Sequence, residues 1–448
     1  MRVDFGLSSY ERGQGDMPEL PVVNLYAEEA PTEQAGIVLQ SRPGLSDRAA
    51  NMGGGPVDCL FKRDLILDGA LFGVSNSTLY EGAAALGAVD GAGPFSIAGY
   101  EGDLFVAGGA GLWNYNGTSV TEISFPDSQN VLKVVVGASR VLCITEASGA
   151  FYWSDSLETN IDALDFATAE NQPDRLLDIL FHNDAAILFG AETVEPWPNT
   201  SDSDLPFQPL EQGIVQKGVR ATGCASLIGN TFAWVTNDNQ IWLADGSVIS
   251  NPGLEAKIAA SATCRLFSFI LGGNEFLALR IDGETHAWPL RTRLWNELQS
   301  YGQSNFIPQC FAGGVFGSAI DGRTLEWADT HLDLGGVLER RFRAGFWATA
   351  ATLVGNLILR CNVGQTTYLS GDYVNPAVEM RISLDHGQTW GSWRSQTLGI
   401  QGDYTRSVLW RMVGQVRRWK AFLAEFRVTA PIDWRISDVL VNEPYGGR

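Results

Sequence analysis

The residues most suggestive of chemistry form one short stretch, SLDHGQTW, at positions 383–390. It fits the Asp-box pattern S-x-D-x-G-x-T-W through Ser383, Asp385, Gly387, Thr389 and Trp390. An aspartate here can accept hydrogen bonds from its own turn, and the glycine tolerates a positive φ. The threonine and tryptophan are predicted to begin the return strand of a hairpin. The stretch therefore predicts a tight turn and does not by itself predict catalysis.

A glycan-binding or glycan-cleaving protein of the sialidase type is the alternative interpretation of this motif. Such an enzyme needs an arginine triad, a tyrosine nucleophile with an acid partner, and usually several Asp boxes, whereas this chain has one. The four histidines have no metal-ligand spacing, and no phosphate-binding loop or nucleophile elbow occurs. We therefore predict no enzyme, no catalytic residue, no metal and no cofactor.

Hairpins with a central aromatic residue recur between residues 60 and 330. The recurring aromatics are Tyr80, Trp113, Trp153, Trp197, Trp242, Trp288 and Trp327. Intervals of 33 to 46 residues with short strands are typical of β-propeller blades. A solenoid usually keeps a stricter repeat length. Seven hairpins allow seven blades, or six blades plus a closing strand pair, and we favour six; the aromatics are expected to pack between blades.

Composition and charge limit the function further. The chain of 448 residues is 45% hydrophobic with 50 glycines and 14 tryptophans, which favours an all-β globular protein. Its formal charge of −20 disfavours a grip on DNA or on an anionic membrane, although a polyanion could slide past such a surface. No apolar run is long enough to span a membrane. The six cysteines stand far apart, so we expect reduced thiols in a cytosol-made protein.

The character of the chain changes after about residue 338, where long apolar strands alternate with basic residues. We predict a β-rich platform made of residues 1–45 and 338–448, with a propeller of residues 46–337 inserted between them. The basic residues suggest a surface for another subunit or partner, although a solvated face is an equal alternative. The candidate interface residues are Arg340, Arg341, Arg343, Arg411, Arg417 and Arg418.

Three segments carry a family resemblance along most of the chain. They are LPVVNLYAEE with LQSRPGL (20–45), ALDFATAENQPDRLLDIL with ILFGAETVEPWPNTSDSDLPFQPLEQGIVQKGVRA (163–221), and RSVLWRMVGQVRRWKAFLAEFRVTAPIDW (406–434). In this order they resemble the tail-hub or nozzle proteins of short-tailed bacteriophages, also called packaged-DNA stabilisation proteins. The prolines that flank Trp197 depart from the family pattern, which puts only the local strand in doubt.

The resemblance implies a structural virion protein made in the host cytoplasm and placed in the phage tail. It implies a homo-hexameric ring below the head–tail adaptor ring, which closes the DNA channel after packaging, retains the genome and forms the ejection conduit. Further implied partners are tail fibres or tailspikes and a plug or needle protein. Genomic DNA is expected to pass through the lumen without sequence-specific binding.

Overall fold

The computed structural model describes residues 2–6, 8–9, 20–33, 36–169, 174–203 and 205–443. Strands make up 50% of the chain and helices 4%, which confirms the all-β fold class. Parts of the predicted platform, residues 10–19 and 444–448, lie outside the described residues. The N-terminal strands are β1 (Asp4–Phe5), β2 (Val22–Val23), β3 (Leu25–Ala30), β4 (Gly36–Ser41) and β5 (Leu45–Asp47).

Seven antiparallel sheets follow one another within the described part of the chain, and we number them blades 1 to 7. Blades 1 to 3 are β6 (Val57–Phe61), β7 (Phe72–Ser75), β8 (Thr78–Glu81) and β9 (Ala84–Ala88); β10 (Ser96–Tyr100), β11 (Asp103–Ala107), β12 (Leu112–Tyr115) and β13 (Val120–Ile123); and β14 (Val131–Gly137), β15 (Arg140–Thr145), β16 (Ala150–Trp153) and β17 (Phe166–Thr168).

The later blades are less regular. Blades 4 to 7 are β18 (Leu176–His182), β19 (Ala185–Gly190) and β20 (Val194–Pro198); β21 (Ala225–Ile228), β22 (Thr231–Val235) and β23 (Ile241–Leu243); β24 (Cys264–Leu271), β25 (Asn274–Ile281), β26 (Glu284–Pro289) and β27 (Asn296–Leu298); and β28 (Pro308–Ala312), β29 (Val315–Ser318) and β30 (Thr324–Trp327) with β5. Helix α1 (Pro252–Ala260) joins blades 5 and 6, and Asn251 caps it by accepting from the backbone N–H of Leu254 at 3.0 Å.

The first strands of the seven blades close into a ring. Each packs against the first strand of the next blade, and β28 of blade 7 packs against β6 of blade 1. The fold of this region is therefore the predicted β-propeller, but it has seven blades where the sequence favoured six. The reason is long-range pairing: β5 adds to β30 through Leu45 and Trp327, which makes the last hairpin a blade and not a closing strand pair.

The seven recurring aromatics each lie in the third strand of their own blade. Two of them show how this position joins neighbouring blades. The ring of Trp197 lies 5.2 Å from that of Phe151 in blade 3, and the ring of Trp327 lies 5.8 Å from that of Phe269 in blade 6. The expected packing between blades is confirmed at these positions.

A β-sandwich follows the propeller. Between the two, β31 (Leu332–Asp333) and β32 (Gly336–Val337) form a small sheet of their own. The C-terminal strands of the sandwich are β33 (Arg340–Ala348), β34 (Thr352–Cys361), β35 (Ala377–Ser383), β36 (Arg394–Thr397), β37 (Val408–Val416), β38 (Lys420–Val428) and β39 (Arg435–Val441). One sheet has the order β3-β4-β39-β34-β37, and the other contains β2-β33-β38-β35-β36 with β1 also on β33. Both ends of the chain therefore contribute strands to the sandwich.

The two sheets of the sandwich enclose one apolar core. Phe342 and Phe426 point inward from neighbouring strands with their rings stacked at 5.0 Å. Trp434 and Trp410 contact them from the same core, at ring distances of 5.6 and 5.7 Å. Because side chains alternate along a strand, the residues between these positions must lie on the opposite face of the sheet.

The propeller and the sandwich are joined by a continuous sheet and by a buried ion pair. Parallel pairing of Val23 in β2 with Glu297 in β27 extends blade 6 into the sandwich. Beside it, the buried Arg42 donates from Nη1 to Asp333 Oδ1 at 3.1 Å and from Nη2 to the carbonyl of Gln299 at 2.6 Å. The Asp333 carboxylate also accepts the backbone N–H of Leu45 at 2.9 Å, so it holds the closing strand of blade 7.

Candidate interaction surface

The Asp-box residues form a turn that is held by hydrogen bonds among its own residues. Ser383, the last residue of β35, accepts from the N–H of Gly387 at 2.9 Å and donates from its hydroxyl to Asp385 Oδ1 at 2.7 Å. The same carboxylate accepts the N–H of Thr389 at 2.9 Å and its hydroxyl at 2.5 Å. These bonds, the one from the Thr389 hydroxyl first, lower the pKa of Asp385 to about 2. Both oxygens of this carboxylate are thus used in hydrogen bonds within the turn.

The return strand begins later than predicted. Gly387 has φ +85 and His386 φ +66, as a tight turn requires, but β36 starts at Arg394 and not at Thr389. The intervening residues lie over the outer face of the sheet. This correction has a physical reason: the two tryptophans of the segment contact arginines of the neighbouring strands, which a straight strand would not allow.

The outer face of β33, β38 and β35 carries a row of ion pairs. Arg343, Glu425 and Arg381 stand side by side in register across the three strands. Glu425 has no exposed surface and accepts from Arg343 Nε at 2.8 Å and from Arg381 Nε at 2.5 Å. One row along, Arg427 Nε donates to Glu379 at 2.7 Å. The charges of this face are therefore largely neutralised within the chain.

Two indoles from the turn segment complete this face. The guanidinium groups of Arg343 and Arg381 each lie 4.8 Å from the ring centre of Trp390. Those of Arg381 and Arg427 lie 4.5 and 4.0 Å from that of Trp393. Such cation–π contacts are strongest where the groups are partly desolvated. The Asp-box turn therefore serves to lay its tryptophans over the arginine–glutamate rows.

The six candidate interface arginines divide into three groups. Arg340 is fully buried, and its guanidinium donates to the carbonyls of Leu338, Ala430 and His331. Burial, with nearby Arg42 as the second cause, lowers the pKa of Arg340 to about 9. The prediction is wrong for this residue, because a side chain without exposed surface cannot reach another subunit.

Arg341 and Arg343 are partly exposed on the ion-paired face, and their place in an interface stays a prediction. Arg341 is within 3.8 Å of Glu339. By contrast, Arg411 is exposed in the middle of β37, and Arg417 and Arg418 are exposed in the turn between β37 and β38. Sequence inspection did not identify Arg381, Arg427, Glu425 or Trp393 as members of the paired face. The alternation of R-x-S and E-x-R along neighbouring strands could have indicated it, but only once the strand register was known.

The end of the sandwich far from the propeller is both basic and aromatic. Trp419 is 55% exposed at the hairpin tip, with the guanidinium of Arg418 5.0 Å from its ring centre. Trp347 is 44% exposed and lies 5.1 Å from the ring of His386 in the Asp-box turn. Residues 338–448 hold fourteen basic and nine acidic residues, against fourteen and thirty-five in residues 46–337. Residues 1–45 add three basic and seven acidic residues to the platform, so the platform is nearly neutral while the propeller is strongly acidic, and the excess of basic residues lies in the C-terminal part of the chain.

Near the centre of the propeller, residues from blades that are not neighbours contact each other. Asp58 of blade 1 pairs with Arg265 of blade 6 at 2.7 Å, although blade 7 separates the two in the ring. Gly223, just before blade 5, lies so close to Pro94, just before blade 2, that an added Cβ would be 3.1 Å from the proline ring. Because they join blades that are not neighbours in the ring, these contacts narrow the centre of the propeller.

Within the described ranges, no three His, Cys, Asp or Glu side chains are grouped as a metal ion would need. No helix in the same ranges is long and apolar enough to cross a membrane.

Comparison with known proteins joins these features to one family. A family profile described as "Bacteriophage P22 Gp10, beta-propeller" matches residues 5–266, and one described as "Bacteriophage P22 Gp10, beta-sandwich" matches residues 341–442. The chain belongs to the bacteriophage P22 Gp10 family. The first profile covers the N-terminal strands and blades 1 to 5, and the second covers the sandwich from β33 to β39; together they confirm the resemblance drawn from the sequence.

Gp10 is a structural family of the phage tail and nozzle, so this chain is a structural protein of the tail and its place is in the virion. Its setting is that of virion assembly. A search of curated proteins found no match.

Several solved structures are similar to this Gp10 family member at low identity. YCF48 from Cyanidioschyzon merolae is 12% identical over 63% of this chain and 98% of its own, with a TM-score of 0.41. The β-propeller domain of Myceliophteria thermophila Cps50 (Swd1) is 10% identical over 62% and 97%, also with a TM-score of 0.41. BBS1N, in its complex with ARL6DN, is 12% identical over 65% and 99%, with a TM-score of 0.43.

Proposed function

We propose that this protein forms a homo-hexameric nozzle ring below the head–tail adaptor ring. The ring closes the DNA channel after packaging, retains the genome and becomes the conduit for ejection. The observation that carries this proposal is the match of both Gp10 profiles, one on each body of the chain. Tail fibres or tailspikes and a plug or needle protein are the further proposed partners, and synthesis takes place in the host cytoplasm.

The contacts at the centre of the propeller support one geometry for the conduit. Because Asp58 and Arg265 pair there, the duplex does not run through a single propeller. The lumen is instead the axis of the ring, with the acidic propellers around it or beside it. Acidic walls suit the passage of DNA. They do not bind the phosphates, so no counterions are released to favour adhesion, and they do not recognise a base sequence.

The platform, residues 1–45 with 338–448, is proposed as the body that makes the ring. Support comes from the shared apolar core of both chain ends and from the exposed basic residues at the far end of the sandwich. In a head-to-tail ring, these basic residues of one subunit would lie against an acidic surface of the next subunit. The two contacting surfaces are then electrostatically complementary.

No enzymatic activity is proposed. The Asp385 carboxylate is used by its own turn, and the adjacent indoles contact arginines of their own chain, which leaves the glycan-cleaving alternative without a supporting feature.

Two measurements test the proposal. Light scattering of the purified chain, alone and with the adaptor ring, should give the mass of a hexamer. Phage particles assembled without the protein should package DNA and then lose it. A chain that stays monomeric with the adaptor, or particles that keep their genome without the protein, would contradict the proposal.

A further inference from the structure

An open cleft of about 590 Å³ lies between blades 3 and 4. It exists because blade 4 lacks a regular fourth strand. The chain after β20 runs back beside it with isolated bridges at Phe207 and Val215, and between them it turns away in the 3-10 turn Glu211–Gly213. The described residues that line the cleft are Phe166, Ala167, Thr168, Glu195, Trp197, Pro209 and Glu211.

Glu195 is the unusual member of this lining. It is only 2% exposed, and its Oε2 accepts from the indole N–H of Trp197 at 3.2 Å. Its Oε1 is buried and has no hydrogen-bond partner in the part of the chain that the structure describes. Buried polar atoms are nearly always paired, because an unpaired one loses its hydration without compensation. Burial, and more weakly the nearby Asp174, raises the pKa of Glu195, yet a protonated Oε1 would need an acceptor that is also missing.

The rest of the lining indicates what kind of group could pair with this carboxylate. Glu211 is a second, exposed carboxylate at the rim. Phe166 and Trp197 add aromatic rings, and no lysine, arginine or histidine is among the described lining residues. Two carboxylates and two rings match a group with positive charge, N–H donors and a flat or compact shape. A phosphate or carboxylate ligand would be repelled.

We propose that this cleft binds an organic cation through an ammonium or guanidinium group, with Glu195 as its buried acceptor and Glu211 as its second carboxylate. An ammonium or guanidinium group can come from two sources. One is a free polyamine-like molecule, and the other is a Lys or Arg side chain of a partner protein. Neither source depends on the nozzle ring, so failure of the ring proposal leaves this site intact.

Calorimetric titration of the full chain with agmatine, a small guanidinium-bearing amine, tests the chemistry. We expect saturable binding of one molecule per chain. Glu195→Gln should weaken it roughly tenfold or more, the effect of losing one charge-assisted hydrogen bond. Glu211→Gln, at the exposed rim, should weaken it less and serves if the buried substitution disturbs folding.

The matched control is Glu122→Gln in the neighbouring cleft, which lies one blade earlier and measures about 340 Å³. Its carboxylate is exposed, so agmatine binding should not change. Absence of agmatine binding, equal affinity in wild type and both cleft variants, or binding of a neutral hexose in its place would overturn the proposal.

Particle assembly with the Glu195→Gln chain separates the two sources. If the cation belongs to a partner protein, assembly with that partner falls and agmatine competes with it. If the cation is a free molecule, assembly proceeds and only agmatine binding is lost. Both results support a cation site, and they identify where the cation comes from.

Discussion

At the scale of single residues, Asp385 shows how a motif associated with enzymes can be purely structural. Each of its oxygens accepts a hydrogen bond from its own turn, and Ser383 links the start of that turn to its centre. A catalytic carboxylate would instead have a free oxygen directed at a substrate. Glu195, which has such an unpaired oxygen among the described residues, lies within the family-like segment 163–221, but no sequence pattern singled it out.

Substitution of Asp385 by alanine should destabilise the fold by about 1 kcal/mol, since exposed turn hydrogen bonds contribute modestly. The pKa of this carboxyl is lowered from its ordinary value near 4 to about 2. Its contribution is therefore complete above about pH 4 and is lost as the pH falls through about 2. Thermal melts of wild type and Asp385→Ala at pH 7 and pH 2.5 check this.

The gap between the two melting temperatures should be smaller at pH 2.5. Asp372→Ala, a change at another aspartate of the sandwich, is the control for a general charge effect. A gap that does not depend on pH would show that the charged carboxylate is not what holds the turn.

At the scale of elements, the outer face of β33, β38 and β35 is organised around one buried carboxylate. Strand register places Arg343 and Arg381 on either side of Glu425, and Trp390 lies over both arginines. The ordinary expectation for an outer sheet face is a row of hydrated charges. Here the turn segment covers those charges. A covered charge without a partner destabilises a fold, so each arginine of this face needs a carboxylate partner.

Glu425→Gln should destabilise the protein by about 2–4 kcal/mol, because two partly buried guanidinium groups lose their shared counter-charge. Chemical denaturation followed by tryptophan fluorescence measures the change. Glu379→Gln is the matched control, as this carboxylate pairs with Arg427 on the same face but is 27% exposed, and about 0–1 kcal/mol is expected. Equal effects of the two substitutions would contradict the special role of Glu425.

At the scale of the whole molecule, the propeller is not an independent ring attached by a linker. Blade 6 continues into the sandwich through β2, blade 7 is completed by β5, and Arg42 with Asp333 lies between the two bodies. Both side chains of that ion pair are almost completely buried. Such a junction fixes the orientation of the sandwich relative to the propeller.

Asp333→Ala should cost about 3–5 kcal/mol, since it leaves the Arg42 guanidinium buried without its carboxylate and releases the backbone of β5. Denaturant titration is the measurement, and early loss of blade 7 should appear as faster proteolysis near residues 45–50. Asp321→Ala, which removes a more exposed pair with Arg323, should change stability by less than about 1 kcal/mol. A stable, protease-resistant Asp333→Ala chain would refute the junction's role.

Ring formation should depend on the basic end of the sandwich. The double substitution Arg417→Glu with Arg418→Glu is expected to yield a folded monomer, because it reverses two exposed charges that we place against an acidic neighbour. Light scattering gives the mass, and circular dichroism checks folding. The matched control, Lys62→Glu with Arg63→Glu, reverses two exposed charges on the propeller and should leave the ring intact. A ring in the first variant, or its loss in both, would contradict this placement.

The amino-acid sequence by itself determined the features that depend on local pattern. Hairpin periodicity predicted a propeller, the spacing of turn residues predicted the Asp-box turn, and short segments in order indicated the family. These inferences succeed because strand alternation and turn chemistry are imposed by neighbouring residues.

Only the tertiary structure decided the features that depend on residues far apart in the chain. Pairing of Leu45 with Trp327 made seven blades where six were favoured, burial removed Arg340 from the predicted surface, and strand register created the Glu425 rows. The unpaired oxygen of Glu195 belongs with them, since it results from the irregular path of the chain beside β20. Desolvation and register are set by which distant segments meet, and no local spacing in the sequence records that meeting.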